Sequence, residues 1–126
     1  ISELRSANIR VSLFMENDLN KIDCAKELNA DRIELYTGPY AHHFKKDRQE
    51  SIKAFVNAAE HAKNIGLDIN AGHDLNLDNL AYLIERIPFI KEVSIGHALI
   101  CDAIYYGLEN TIQMYLRALK TTNVFI

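Results

Sequence analysis

At 126 residues, 48% hydrophobic and 25% charged, the chain has the composition of one soluble globular domain with enough apolar side chains for a core. A formal charge of −3 and the lack of any long Lys/Arg run argue against nucleic acid as a partner, because neutralising phosphates needs clustered cations. No apolar stretch approaches the roughly 20 residues of a membrane span, and Cys24 and Cys101 stand apart from any C-x-x-C pair, so a reducing cytoplasm is expected rather than a disulfide framework or zinc ribbon.

The chain opens without Met, and Ile1-Ser-Glu-Leu-Arg-Ser-Ala7 reads as the tail of a helix, so a fragment is expected. From there the apolar pattern switches repeatedly between period two and period 3.6, the signature of alternating strands and helices. The first unit is a strand over Arg10-Val-Ser-Leu-Phe14 and a helix from Asp18 to Leu28, with Leu19, Ile22, Ala25 and Leu28 on its apolar face. Asn17 is placed to cap its start and Asn29 to take the left-handed turn at its end. The second unit is Asp31-Arg-Ile-Glu-Leu35, a long loop from Tyr36 to Arg48, and a helix from Gln49 to Ile65 presenting Ile52, Phe55, Val56, Ala59 and Ala62. Gly66 stops it.

The third unit begins with Leu67-Asp-Ile-Asn70 and continues as a helix from Asn76 whose Leu77, Leu80, Leu83, Ile84 and Ile87 face the core until Pro88 ends it. The fourth is Glu92-Val-Ser-Ile95 and a helical stretch from Ala98 to Lys120, broken near Gly107 into two helices. Within the strands one set is apolar (Val11, Leu13, Ile33, Leu35, Ile69, Val93, Ile95) and the other polar (Ser12, Glu34, Asn70, Ser94). Parallel sheets covered on both faces have nearly continuous apolar strands. Alternation instead fits a barrel wall with helices outside and a polar mouth inside. A complete (β/α)₈ barrel takes about 250 residues, so four units over residues 1–126 make half of one. The other half must come from an N-terminal segment of the same polypeptide or from a second copy.

Chemistry in such a barrel sits where strands end and the following loops begin. Glu34 belongs to the inward polar set, where a carboxylate stabilises a developing cation or moves a proton, unless it is spent on an ion pair with Arg32. His73 follows Gly72 at a strand end, where an imidazole exchanges protons near neutral pH, or merely hydrogen-bonds Asp74. Gly96-His97 precedes a helix, and glycine there lets an anion reach free backbone N–H groups, although a plain tight turn has the same sequence. His42, His43 and His61 read as surface residues, and no H-x-x-x-H or H-E-x-x-H spacing supports a zinc site among His42, His43, His73 and Asp74. Another phosphate-binding barrel isomerase or lyase, or a non-catalytic half-barrel, fits these residues too; an imine-forming aldolase would need a strand-end lysine, and none is present.

Taken together and in order, Val11-Ser-Leu-Phe14, Ala30-Asp-Arg-Ile-Glu-Leu35 with Thr37-Gly-Pro-Tyr-Ala41, Asn70-Ala-Gly-His-Asp-Leu-Asn76 and Val93-Ser-Ile-Gly-His-Ala98 resemble the second half of the pyridoxine 5′-phosphate synthase family. The resemblance extends into Gly107-Leu-Glu109. It implies strands five to eight of a TIM barrel, usually assembled as an octamer. The implied reaction condenses 1-deoxy-D-xylulose 5-phosphate with 3-amino-2-oxopropyl phosphate to pyridoxine 5′-phosphate, phosphate and water, with no metal or organic cofactor. By motif, Glu34 matches the transition-state stabiliser, His73 the proton donor, and Gly96 and His97 the pair that binds the aminooxopropyl phosphate. Asp74 stands where some members carry a glycine that contacts the amino substrate. The proton acceptors and the residues holding the xylulose phosphate belong to the N-terminal half of the family and have no counterpart here.

Overall fold

The computed structural model describes residues 1–120; the end of the expected domain, 121–126, lies outside the described residues. Four strands, β1 (Ser12–Met15), β2 (Arg32–Tyr36), β3 (Asp68–Gly72) and β4 (Glu92–Ser94), pair in chain order, every pair parallel. Helical connections carry the chain between them: α2 (Leu19–Glu27), α3 (Gly38–Phe44) with α4 (Arg48–Asn64), and α5 (Leu80–Arg86). A short α1 (Ser2–Ser6) precedes the sheet, and α6 (His97–Tyr106) and α7 (Leu108–Lys120) follow it.

The period-two alternation sorts the strands as expected. Ile33, Leu35 and Ile69 are buried under the helices, with Leu13 and Val93 partly covered. The opposite face keeps Ser12, Phe14 and Ser94 exposed and Glu34 and Tyr36 half-buried. The helices follow one another as the strands do, α2 packing on α4, α4 on α5, and α5 on α7. Sequential parallel strands under one layer of sequential helices make a parallel α/β fold consistent with part of a (β/α) barrel. A doubly wound sheet would reverse its strand order at a switch point and carry helices on both faces.

The helix faces are carried by the residues that periodicity picks out, with corrections. In α4, Ile52, Phe55, Ala59 and Ala62 are buried, Ala58 joins them, and Val56 is partly covered. In α2 only Ile22 and Ala25 are buried; Leu19 and Leu28 sit at its two ends, beyond the footprint of α4, and remain exposed. Its cap is Asp18, not Asn17: the extended backbone of Asp18 turns its carboxylate to accept from the N–H of Asn20 at 2.9 Å and of Lys21 at 3.3 Å. Asn29 does take the left-handed turn, at φ 57°. His61 is more than a surface residue, since its Nε2 lies 2.6 Å from Asp23 Oδ1 and ties α4 to α2.

Two further expectations change. Part of the expected loop from Tyr36 to Arg48 is the helix α3, which buries Tyr40 among Phe44 and Phe55 in edge-on ring contacts. The third helix begins at Leu80 rather than Asn76, because the Asn76 side chain accepts from the N–H of Asp78 and Asn79 and holds the segment as a turn. The break before α7 is at Gly107, whose φ of 79° suits a residue without Cβ. Among the described residues no helix is long and apolar enough to cross a membrane, and both cysteines are free.

Candidate active site

Pairing register stacks the inward side chains in layers. Arg32 lies beside Asp68; Phe14, Glu34, Asn70 and Glu92 are aligned; and Tyr36, Gly72 and Ser94 form the layer nearest the carboxyl ends of the strands. The lower layers are ionic. Arg32 reaches Glu92 at 2.9 Å, Asn70 at 3.3 Å and Asp68 at 3.7 Å, while Arg10 approaches Glu92 at 3.0 Å from the other side. The ion pair considered between Arg32 and Glu34 is therefore not formed; Nη1 of the guanidinium serves Glu92 and Asn70, and Nε lies within ionic but not hydrogen-bonding reach of Asp68.

Desolvation alone would push the Glu92 carboxyl up, but the Arg10 and Arg32 guanidiniums outweigh it and hold Glu92 below the usual carboxylate range. A group depressed in the folded state stabilises above its unfolded value and loses that contribution as pH falls through its folded value. Glu92→Gln is accordingly expected to lower the thermal midpoint at neutral pH, with the gap to the parent closing as pH drops below 4.5. Unfolding midpoints of both proteins measured across that range check this; a gap that stays constant with pH would contradict it.

Glu34 shares its layer with Asn70 and Glu92 but takes no part in their network. Among the described residues no hydrogen bond or ion pair holds its carboxylate. Its position depends on Gly72: a Cβ there would collide with Glu34 Oε1 and meet Ser94 Cβ at 3.0 Å. Gly72 also leads into His73, whose imidazole meets Tyr36, two residues along β2 from Glu34 on the same face of the sheet. The His73 ring packs edge-on against Tyr36 with centroids 4.9 Å apart, and Tyr36 in turn against Phe14 at 5.6 Å.

The turn that carries His73 is unusual. His73 and Asp74 are both left-handed, at φ 88° and 57°, a conformation that L side chains seldom adopt without external restraint. Two buried side chains hold it. Thr37 directs its hydroxyl at Gly72 O (2.7 Å) and His73 O (2.6 Å), and Asn79 donates from Nδ2 to Asp74 O at 3.2 Å. Asn79 is itself fixed by Tyr40, whose hydroxyl donates to its carbonyl at 2.6 Å and whose burial raises the phenol well above its ordinary range. Asp74 Oδ2 lies 3.1 Å from His73 Nδ1, both side chains about half exposed. The two side chains weighed from the sequence are thus in ionic contact, without the hydrogen bond expected between them.

Gly96 caps the N-terminus of α6 without a side-chain cap, and both Gly96 and His97 are exposed. The first turn of α6 presents N–H groups that lack intrahelical acceptors at the positive end of the helix. The helix begins at His97 rather than Ala98. A cleft of about 330 Å³ opens there, lined by Ala41, His42, Asp74, Leu75, Asn76, His97 and Ala98. Structure thus places His73, Asp74, Gly96 and His97 just past the carboxyl ends of β3 and β4, with Asp74 and His97 on one cleft, and Glu34 one layer deeper on the open face of β2. It adds His42, exposed as its sequence context suggests, at the edge of that cleft. Among the described residues no group of three or more His, Cys, Asp or Glu side chains could hold a metal ion.

A parallel four-stranded α/β sheet with a left-handed histidine turn and an uncapped helix N-terminus past its strand ends has the arrangement of part of a (β/α) barrel, a class that builds its sites at that face. A family model described as "Pyridoxal phosphate biosynthesis protein PdxJ" matches residues 1–121, and the chain belongs to that family. It is 58% identical over 120 residues to the pyridoxine 5′-phosphate synthase of Cytophaga hutchinsonii, covering 95% of this chain and 50% of that protein. To the pyridoxine 5′-phosphate synthase of Parabacteroides distasonis it is 52% identical over 121 residues, covering 96% of this chain and 51% of the relative. The chain spans about half the length of the curated relatives it matches.

Proposed function

We propose that this chain supplies the C-terminal half, strands five to eight, of a (β/α)₈ barrel that acts as pyridoxine 5′-phosphate synthase, a transferase of vitamin B6 biosynthesis. The complete enzyme joins 1-deoxy-D-xylulose 5-phosphate to 3-amino-2-oxopropyl phosphate, forming pyridoxine 5′-phosphate, phosphate and water. One observation carries this reading: within a chain of that family, the His73 turn and the Gly96–His97 helix start follow the carboxyl ends of β3 and β4, and Glu34 lies one layer below that end on the open face of the neighbouring β2.

The chemistry follows from those positions. The backbone N–H groups after Gly96, with His97, hold the phosphate of the amino substrate at the positive end of α6. The amine attacks the ketone of the xylulose phosphate, and the resulting cationic imine is steadied by Glu34, a carboxylate with no competing partner among the described residues. His73 protonates oxygen as it departs, and the Asp74 carboxylate 3.1 Å from Nδ1 favours the protonated ring. Asp74 also lines the cleft beside His97, within the neighbourhood of the amino substrate. Loss of phosphate and water and an aldol-type closure complete the ring. None of these steps calls on a metal or an organic cofactor.

The proton acceptors and the remaining phosphate ligands come from the N-terminal half. The chain by itself is therefore expected to bind a phosphate ester weakly and to turn nothing over. Calorimetric titration of the chain with a phosphate ester, beside an assay with both substrates, tests this; ring closure by the chain alone would overturn it. Assembly into a cytoplasmic homo-oligomer, an octamer in the implied family, is supported by the apolar surface of α6 and α7. Ile100, Ile104, Tyr105, Leu108 and Ile112 are exposed there, and large apolar side chains on two successive helices are what a subunit contact covers.

A further inference from the structure

Thr37 immediately follows β2 and stands at the N-cap of α3, where a threonine ordinarily turns its hydroxyl onto the first helical N–H groups. It makes no such bond. Its side chain is fully buried, and the hydroxyl points across the sheet, 2.7 Å from Gly72 O and 2.6 Å from His73 O. Its own N–H donates to Gly72 O as well, at 2.8 Å. A hydroxyl carries a single proton, and because the Thr37 N–H already serves Gly72 O, that proton is left for His73 O; between them the two donors hold both carbonyls where β3 ends and the left-handed turn begins. Two consecutive non-glycine residues at positive φ cost about 1–3 kcal/mol each and persist only where the surroundings over-determine them. Asn79 secures the far end of the turn through Asp74 O, but nothing other than Thr37 is bonded to His73 O among the described residues.

We infer that Thr37 is a positioning residue for His73: its hydroxyl clamps the strained turn so that the imidazole stands over Tyr36 on the face of the sheet that carries Glu34. The inference rests on the reading of His73 as proton donor, and it assigns to Thr37 neither substrate contact nor proton transfer. Its physical content is geometric. Without the hydroxyl the His73 carbonyl loses its donor, φ relaxes toward negative values, and the ring swings from its edge-on contact with Tyr36, 4.9 Å between centroids.

The test compares Thr37→Val, which keeps the volume and removes the donor, with Thr37→Ser, which keeps the donor, in the complete protein carrying both halves. Thr37→Val is expected to lower kcat by on the order of 10²-fold, the effect of a misplaced reacting group, with KM for the amino substrate little changed. Thr37→Ser is expected to retain most of the turnover. A second readout does not depend on activity. The ring protons of His73, shifted by the face of Tyr36, are expected to move toward their free-imidazole positions in Thr37→Val and to stay in place in Thr37→Ser. Parental kcat and unmoved His73 resonances in Thr37→Val would overturn the inference. Should Thr37→Val fail to fold, Thr37→Ser decides: retained turnover with unmoved resonances supports the clamp, and lost turnover with displaced resonances overturns it by assigning the role to the methyl group. His73→Ala separates the two readings. If that variant keeps its turnover, the proton-donor assignment fails, while the resonances still report whether Thr37 holds the turn.

Discussion

Alanine in place of His73, in the complete enzyme, is expected to lower turnover by roughly 10²–10⁴-fold, the usual contribution of a positioned general acid, while leaving phosphate binding nearly intact. The separation follows from where the groups sit. His73 projects from the end of β3 with its side chain half exposed, and its main tie is the Asp74 carboxylate 3.1 Å from Nδ1. The phosphate site assigned to Gly96 and His97 uses the backbone of α6 and does not need the imidazole of His73. Alanine tolerates the left-handed position less well than histidine, so a modest loss of stability accompanies the loss of the ring without touching the α6 backbone. Steady-state kinetics together with titration of the phosphate substrate checks both halves of the expectation. Unchanged turnover would take His73 out of the mechanism, and equal loss of binding and turnover would make it a ligand rather than an acid.

Gly72→Ala is expected to produce the other large effect, and through Glu34. The added methyl would occupy the space of Glu34 Oε1 and press on Ser94 Cβ at 3.0 Å. A carboxylate at the end of two methylenes yields easily, so the cost in stability stays modest, about 1 kcal/mol for a single overpacked methyl. Function does not yield as cheaply, because stabilisation of a developing charge depends on donors and charges held in place beforehand. Turnover is expected to fall by about 10²-fold or more while the unfolding midpoint changes little. A variant with parental kinetics would show that Glu34 need not occupy its position.

The four strands were legible because a parallel sheet with one covered face writes a period of two into its sequence. Ile33, Leu35 and Ile69 went to the helix side, and Glu34 and Ser94 to the open side. Helices α4, α6 and α7 were legible for the corresponding reason, a 3.6-residue repeat or a glycine break at Gly107. The helix α3 was hidden by its composition: Gly38 and Pro39 at its start and paired histidines near its end resemble a loop, and its apolar residues Tyr40 and Phe44 are too few to establish a period. His42 is exposed, as its sequence context suggests, and the turn of α3 sets it at the edge of the cleft of Asp74 and His97.

The candidate site was legible as residue types at strand ends and illegible as geometry. Gly-His after a strand suggests an accessible imidazole, but positive φ at His73 and Asp74 is set by Thr37 and Asn79, one of them on another strand's end. Hydrogen bonds from 35 and 36 residues away leave no local signal. The same holds for the partners of Arg32: Glu34 is near in sequence, yet Asp68 and Glu92 are the acids that the register delivers. Local pattern reports which face a residue occupies. Pairing between strands decides what it meets there.

Formation of pyridoxine 5′-phosphate from the two phosphorylated substrates, measured for this chain joined to its N-terminal half and for the chain alone, tests the central claim most directly. Product from the joined protein and none from the lone chain is the expected result. A joined protein that folds and binds both substrates yet yields no product would contradict the assignment of Glu34, His73 and the Gly96–His97 helix start to one ring-closing site.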